Sequence, residues 1–125
     1  VLGPPREGKK VTYSGDTRPC DKLIELARDS DVLIHEATYE NADQDKAIEN
    51  CHSTSKEAAT IAKEANVKLL VLTHISTRYT TDLNIKEEAK EIFENTVVAN
   101  DFTEINVGKD KTTINFKNIL TVNNE

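Results

Sequence analysis

Nothing in this chain approaches the ~20 consecutive apolar residues that a helix needs to cross a bilayer, and its opening residues lack the apolar segment of a signal peptide. Cysteine is scarce: Cys20 and Cys51 stand far apart, without the C-x-x-C spacing of a metal or redox pair. The expectation is therefore two reduced thiols in a cytoplasmic chain. Basic charge is also short, with 16 Lys and Arg against 22 Asp and Glu, for a net charge of −6. That excludes a surface that binds nucleic acid over its whole extent, but not phosphate chemistry at one edge. A content of 37% apolar and 30% charged residues excludes disorder. A length of 125 residues is one domain or a piece of a larger one. The chain opens at Val1 rather than a methionine, which carries the expectation of a further portion upstream.

What is there alternates between strand and helix signals. Val1 to Gly8, rich in proline and glycine, reads as loop. Lys9 to Ser14 reads as a strand closed by a turn at Gly15, and Cys20 to Asp29 as a helix whose apolar face is Leu23, Ile24, Leu26 and Ala27. Val32-Leu33-Ile34 is too short for a helix and suits a buried strand. Asn41 to Asn50 reads as a polar surface helix. Ser53 or Thr54 caps the next one, since Thr54-Ser55-Lys56-Glu57 has the spacing of a capping box. Ala58, Ala59, Ile61, Ala62 and Ala65 make that helix narrow enough to lie close on a sheet. Val67 to Leu72 is the strongest strand signal, nearly continuous in apolar residues as in a strand covered on both faces. A helix over Asn84 to Phe93, with Ile85, Ala89, Ile92 and Phe93 inward, precedes strands at Val97-Val98, Phe102 to Val107 and Thr112 to Phe116. This order predicts an α/β layered fold. Standing alone, such a chain covers one side of its sheet and leaves the other short of partners.

Short polar motifs close the strands: Ser14-Gly15-Asp16-Thr17-Arg18-Pro19, His35-Glu36-Ala37-Thr38, His52-Ser53-Thr54, and Thr73-His74-Ile75-Ser76-Thr77-Arg78-Tyr79. They hold all three histidines of the chain. A carboxylate or imidazole after an apolar strand stands at the C-terminal edge of the sheet, where α/β proteins build their sites. Asp16 and His74 offer the oxygen and nitrogen donors that Zn2+ or Mn2+ accept, but two ligands are a partial site. Taken singly, each has a plainer reading, as a turn aspartate and a structural imidazole. Glu36 and His52 make a second pair, in which a carboxylate that binds one ring nitrogen fixes the tautomer and equips the histidine to donate a proton. The alternative is two unconnected surface residues. Ser76 and Arg78 suit recognition of a phosphate oxygen, against the alternative of a surface ion pair for Arg78.

The ordered set of motifs resembles the C-terminal half of RNase Z, the tRNA 3′-processing endonuclease family of the metallo-β-lactamase superfamily. Ala99-Asn100-Asp101-Phe102 adds a fifth element, and the likeness spans about residues 1 to 107. The resemblance implies the C-terminal half of a four-layer αβ/βα sandwich with two Zn2+ at the edge between its sheets. It implies that Asp16 bridges both metals, that His74 is the last histidine ligand, and that Glu36 and His52 protonate the leaving group. Ser76 and Arg78 would lie near the substrate phosphate. The partners implied are a tRNA precursor, the N-terminal half of the same domain, and a second subunit in a homodimer.

The chain departs from that family in lacking H-x-H-x-D-H, which supplies most of the metal ligands, and the further histidine before Asp16. Residues 1–125 are therefore read as the C-terminal part of one domain. By itself the chain is expected to be inactive, with two candidate ligands where the mechanism needs about seven. The remaining readings are a superfamily hydrolase with another substrate, and a non-catalytic module that pairs with a separate N-terminal chain.

Overall fold

A computed structural model describes residues 8–108 and 112–115 of the chain. Four strands, β1 (Val11–Tyr13), β2 (Val32–Glu36), β3 (Leu69–Thr73) and β4 (Thr96–Val98), form a parallel sheet in the order in which they occur in the sequence. Neighbouring parallel strands need a long crossover, and here each one is helical. α1 (Asp21–Ala27) joins β1 to β2, and α4 (Leu83–Ile92) joins β3 to β4. Between β2 and β3 run a 3-10 turn at Asn41–Asp43, α2 (Gln44–Glu49) and α3 (Ser55–Ala65). Because parallel crossovers share one hand, a sheet whose strand order never reverses collects its helices on one face.

The pleat sorts the strand residues between two cores. Leu33, Leu70, Leu72 and Val98 meet Leu23 and Ala27 of α1, the alanines of α3, and Ile85 and Ala89 of α4. Alternate residues Val32, Leu69 and Val71 point the other way, where Ile105, Val107 and Ile114 pack on them. Those three come from an antiparallel hairpin, β5 (Glu104–Val107) and β6 (Thr112–Asn115). The result is an α/β sandwich of helices, parallel sheet and antiparallel hairpin. The hairpin leaves Val11 and Tyr13 of the outer strand 52% and 66% exposed, so the face opposite the helices is only partly covered.

α3 matches its sequence signals closely. Thr54 is the cap: its Oγ1 accepts from the Glu57 N–H, and the Glu57 carboxylate accepts from the Thr54 N–H, which satisfies two otherwise orphaned donors. Ala58, Ala59, Ala62 and Ala65 have no exposed surface. Asn66, with φ +58, ends the helix in the left-handed conformation that suits asparagine.

Other boundaries moved for identifiable reasons. β2 continues past Ile34 through His35 and Glu36 because β3 pairs with it to the end, His35 to Leu72 and Glu36 to Thr73. β3 starts at Leu69 rather than Val67, whose N–H closes the end of α3 on the Ala62 carbonyl. α1 is shorter than the expected Cys20 to Asp29; Arg28 turns extended and Asp29 takes φ +58. Phe102 does not belong to a strand. It has φ +66 and is 71% exposed, in a turn closed by mutual bonds between Asn100 and Thr103. The loop expected over Val1 to Gly8 lies, except for Gly8, outside the described residues, as does Phe116. Among the described residues, no helix is long and apolar enough to cross a membrane.

His35 is wholly buried on the helical side. Its Nδ1–H donates to the Glu36 carbonyl at 2.7 Å, and its Nε2 has no partner among the described residues. Burial holds its pKa below the ordinary 6.5, against the smaller opposing pull of the Glu36 carbonyl and the Glu36 and Glu57 charges. The folded state then refuses a proton that the unfolded chain accepts, so stability is full above pH 6.5 and is lost as pH falls below it.

Two outcomes are expected. The urea midpoint should fall between about pH 6.5 and pH 5, before the carboxylates titrate, and His35→Phe should remove that slope. Leu70→Ala, which empties space beneath both α3 and α4, should lower the unfolding free energy by about 2–5 kcal/mol in the same measurement.

Candidate active site

The polar motifs converge at the C-terminal ends of β1, β2 and β3. Gly15, with φ +64, turns the chain after β1 and sets Asp16 and Thr17 above the sheet. His74, one residue beyond β3, also takes a left-handed backbone, φ +58, which redirects the chain at the sheet edge. His52 is delivered differently. At the end of α2, the Cys51 N–H bonds the Ile48 carbonyl and the His52 N–H bonds the Ala47 carbonyl. This is a Schellman closure with Cys51 at the position usually held by glycine, φ +60. A single parallel bridge between Tyr39 and Thr54 then lays the His52-Ser53 segment beside the continuation of β2.

At the centre is Glu36, only 1% exposed. Its Oε1 accepts from the N–H of Ser53 at 2.8 Å, the N–H of Thr17 at 3.2 Å and His52 Nδ1 at 3.1 Å. Its Oε2 accepts from the N–H and the hydroxyl of Thr38, at 3.0 and 2.7 Å. A buried carboxylate needs its lone pairs filled, and here donors arrive from three separate segments. Since a carboxylate only accepts, His52 carries its proton on Nδ1 and leaves Nε2 free.

Asp16, His52 and His74 form a second cluster. One ligand atom from each lies within 4.8 Å of the others. The two imidazoles stack at 5.3 Å between centroids, and Asp16 Oδ1 is 3.8 Å from His74 Nδ1. The side chains of Asp16 and His74 are 59% and 55% exposed, so the cluster is open to further ligands. One carboxylate and two imidazoles are a donor set that suits zinc or manganese, and they make a partial site. Residue type and position single out only Asp16 and His74 as ligands; the fold brings His52 within the same reach.

Around this core are residues whose roles residue type and spacing do not reveal. Arg18 forms a two-pronged pair with Glu57, at 2.8 and 2.7 Å, and donates to the His52 carbonyl at 2.7 Å. It thereby clamps the Asp16 loop to the start of α3. Burial pushes the Glu57 carboxyl up, but Arg18, the Thr54 N–H and Gln44 together hold it below its ordinary range. Ser53 Oγ donates to the Thr17 carbonyl at 2.5 Å, a second tie between the same loops. Arg18, Ser53 and Thr38 all stood inside the motifs, but nothing local distinguishes a clamp from a solvated side chain.

Arg78 takes the ion pair offered as its plainer reading, 3.7 Å from Asp43, and also lies 5.5 Å over the Tyr39 ring. The Tyr39 ring meets His52 edge-on at 6.3 Å. Ser76 accepts from the Arg78 N–H at 3.3 Å, and its own N–H donates to the Thr38 carbonyl. Tyr79 donates to Asp43 at 2.5 Å and accepts from the Glu40 N–H. Burial, and then the Asp43 contact, push its phenol up to about 12.

Comparison with known proteins places the chain in a family by sequence and by fold. A sequence model described as a β-lactamase superfamily domain matches residues 1–75, more than half of the chain. Ribonuclease Z of Archaeoglobus fulgidus is 54% identical over 112 residues, which cover 89% of this chain and 37% of that protein. Ribonuclease Z of Bacillus subtilis is 54% identical over 108 residues, covering 85% and 35%. The chain thus spans little more than a third of the length of these relatives. Among solved structures, the metallo-β-lactamase fold protein YhfI of Bacillus subtilis superposes with a TM-score of 0.64 at 36% identity, over 70% of this chain and 35% of that one. The short form of human tRNase Z gives 0.60 at 39% identity, over 76% and 32%. Family match, relatives and shared fold agree: the chain belongs to the metallo-β-lactamase superfamily, in which the ribonuclease Z proteins named above are among its relatives.

Proposed function

We propose that residues 1–125 are the C-terminal part of a zinc-dependent endoribonuclease domain that removes the 3′ trailer from tRNA precursors by hydrolysing one phosphodiester. The observation that carries this reading is the Glu36–His52 contact, 3.1 Å long, set against the Asp16 and His74 donors. A carboxylate–histidine pair beside a metal-suited cluster separates acid catalysis from charge neutralisation, which is what cleavage of a phosphodiester with a poor leaving group requires. Relatives named ribonuclease Z support the choice of substrate.

In this proposal Asp16 would be a ligand shared by two metal ions and His74 a ligand to one of them, and H-x-H-x-D-H in the N-terminal part would supply the remaining ligands. When bound, such metals supply Lewis-acid neutralisation of the phosphate and an activated water. The chain's own residues do the rest. Glu36 holds the His52 ring through Nδ1–H, so that the imidazolium form of the ring carries its second proton on Nε2, for the departing ribose 3′-oxygen. As the bond from phosphorus to that oxygen breaks, His52 Nε2 gives up its proton and is neutral at the end. Arg78, with 43% of its side chain exposed, keeps donors free for a phosphate oxygen, and Ser76 lies on the same turn. By itself the chain is inactive; the complete enzyme is a cytoplasmic homodimer that acts on precursor tRNA.

One observation favours a second assignment for His52. Its ligand atom falls inside the three-donor cluster with Asp16 and His74, so it could serve as a metal ligand rather than an acid. Metal analysis separates the two. In the enzyme completed by a polypeptide that carries H-x-H-x-D-H, His52→Ala should lower turnover on precursor tRNA by ~10²–10⁴-fold with zinc content unchanged; loss of zinc would make His52 a ligand. Asp16→Ala should lose zinc and activity together, and retention of both ions would refute the bridging role. A completed protein that binds zinc but leaves precursor tRNA intact would indicate another substrate. One that binds neither would indicate a non-catalytic module.

A further inference from the structure

We infer that Thr38 is a positioning residue that links Glu36 to His74 and fixes which nitrogen of His74 is free. The Thr38 hydroxyl stands among three site residues: 2.7 Å from Glu36 Oε2, 2.9 Å from His74 Nδ1 and 3.3 Å from His52 Nδ1. A hydroxyl has one proton to give and two lone pairs with which to accept. Glu36 can only accept, and Thr38 Oγ1 approaches it most closely, so the hydroxyl proton goes to Oε2. Toward His74 the hydroxyl must then accept, which requires the His74 proton to sit on Nδ1. Nε2 of His74 is left as the lone-pair donor. Asp16 Oδ1, at 3.8 Å from the same Nδ1, is beyond hydrogen-bond reach and does not compete for that proton.

A single carboxylate thereby orients both imidazoles, His52 directly and His74 through one hydroxyl. Thr38 is well placed to do so. It is 6% exposed, its N–H is bound to the same carboxylate oxygen, and its carbonyl accepts from the Ser76 N–H in the turn that follows His74. The side chain is therefore held from both ends while the His74 ring, more than half exposed, is not. Partners that orient a metal-binding imidazole through its second nitrogen typically change metal affinity 10–100-fold when removed. Any role toward a metal rests on the assignment of His74 as a ligand, whereas the tautomer does not.

The test is a long-range proton–nitrogen correlation spectrum of the imidazoles in the metal-free 125-residue chain, at about pH 8 where histidine is neutral. His74 should be protonated on Nδ1 in the wild type. Thr38→Val should move the proton wholly or partly to Nε2, and Thr38→Ser should restore Nδ1. A wild-type His74 protonated on Nε2 overturns the inference without recourse to any variant, so a Thr38→Val chain that fails to fold does not shield it. An unchanged tautomer in a folded Thr38→Val chain overturns it as well. Zinc titration of the protein completed by a polypeptide that carries H-x-H-x-D-H gives the second readout: affinity should fall ~10–100-fold in Thr38→Val and recover in Thr38→Ser. A wild-type chain with the expected tautomer whose completed form binds no zinc supports the Thr38 role and counts against the metal reading instead.

Discussion

The site is organised by one buried charge. Removing a carboxylate from water costs several kcal/mol unless donors replace the lost hydration, and Glu36 is almost wholly buried. Its donors come from the loop after β1, the segment after β2 and the segment before α3. None of these segments can leave without stranding the charge. Two of them carry a candidate functional residue next to the donor, Asp16 before Thr17 and His52 before Ser53, and the third sets the Thr38 hydroxyl against His74 in the segment after β3. Solvating Glu36 and assembling the site are thus one structural event.

A second ion pair extends that constraint outward. Glu57 caps α3 and at the same time receives both prongs of Arg18, so the first turn of the helix and the Asp16 loop share one carboxylate. Arg18 also holds the His52 carbonyl, while Glu36 holds the His52 ring. His52 is consequently fixed at backbone and ring by separate partners. Asp16 and His74, by contrast, are largely exposed. A buried Glu36 and a doubly held His52 thus stand beside an open Asp16 and His74.

Legibility in the sequence followed the range of the interaction. α3 was readable because its capping box lies within four consecutive residues and its alanines repeat at helical spacing. The last two residues of β2 were not, because His35 and Glu36 are strand only through pairing with Leu72 and Thr73. Phe102 misled for the converse reason: an apolar residue suggested strand, whereas the local turn between Asn100 and Thr103 exposes it. Asp16, Glu36, His52 and His74 could be singled out by residue type and place. The parts of Thr38, Arg18 and Tyr39 could not, since the contacts that place them against His52, His74, Glu57 and Asn50 join residues 11 to 39 positions apart.

Sequence alone determined the alternation of strands and helices, the identity of the chemical groups at the strand ends and the partial nature of the metal-binding set, since each is a property of residue type and short spacing. Tertiary structure alone decided that one carboxylate serves two histidines, that His52 shares the reach of Asp16 and His74, and that Arg18 clamps two loops. The physical reason is that hydrogen bonds and ligand sets act over about 3 Å in space, a distance that a linear sequence does not encode until the sheet has brought its strand ends together.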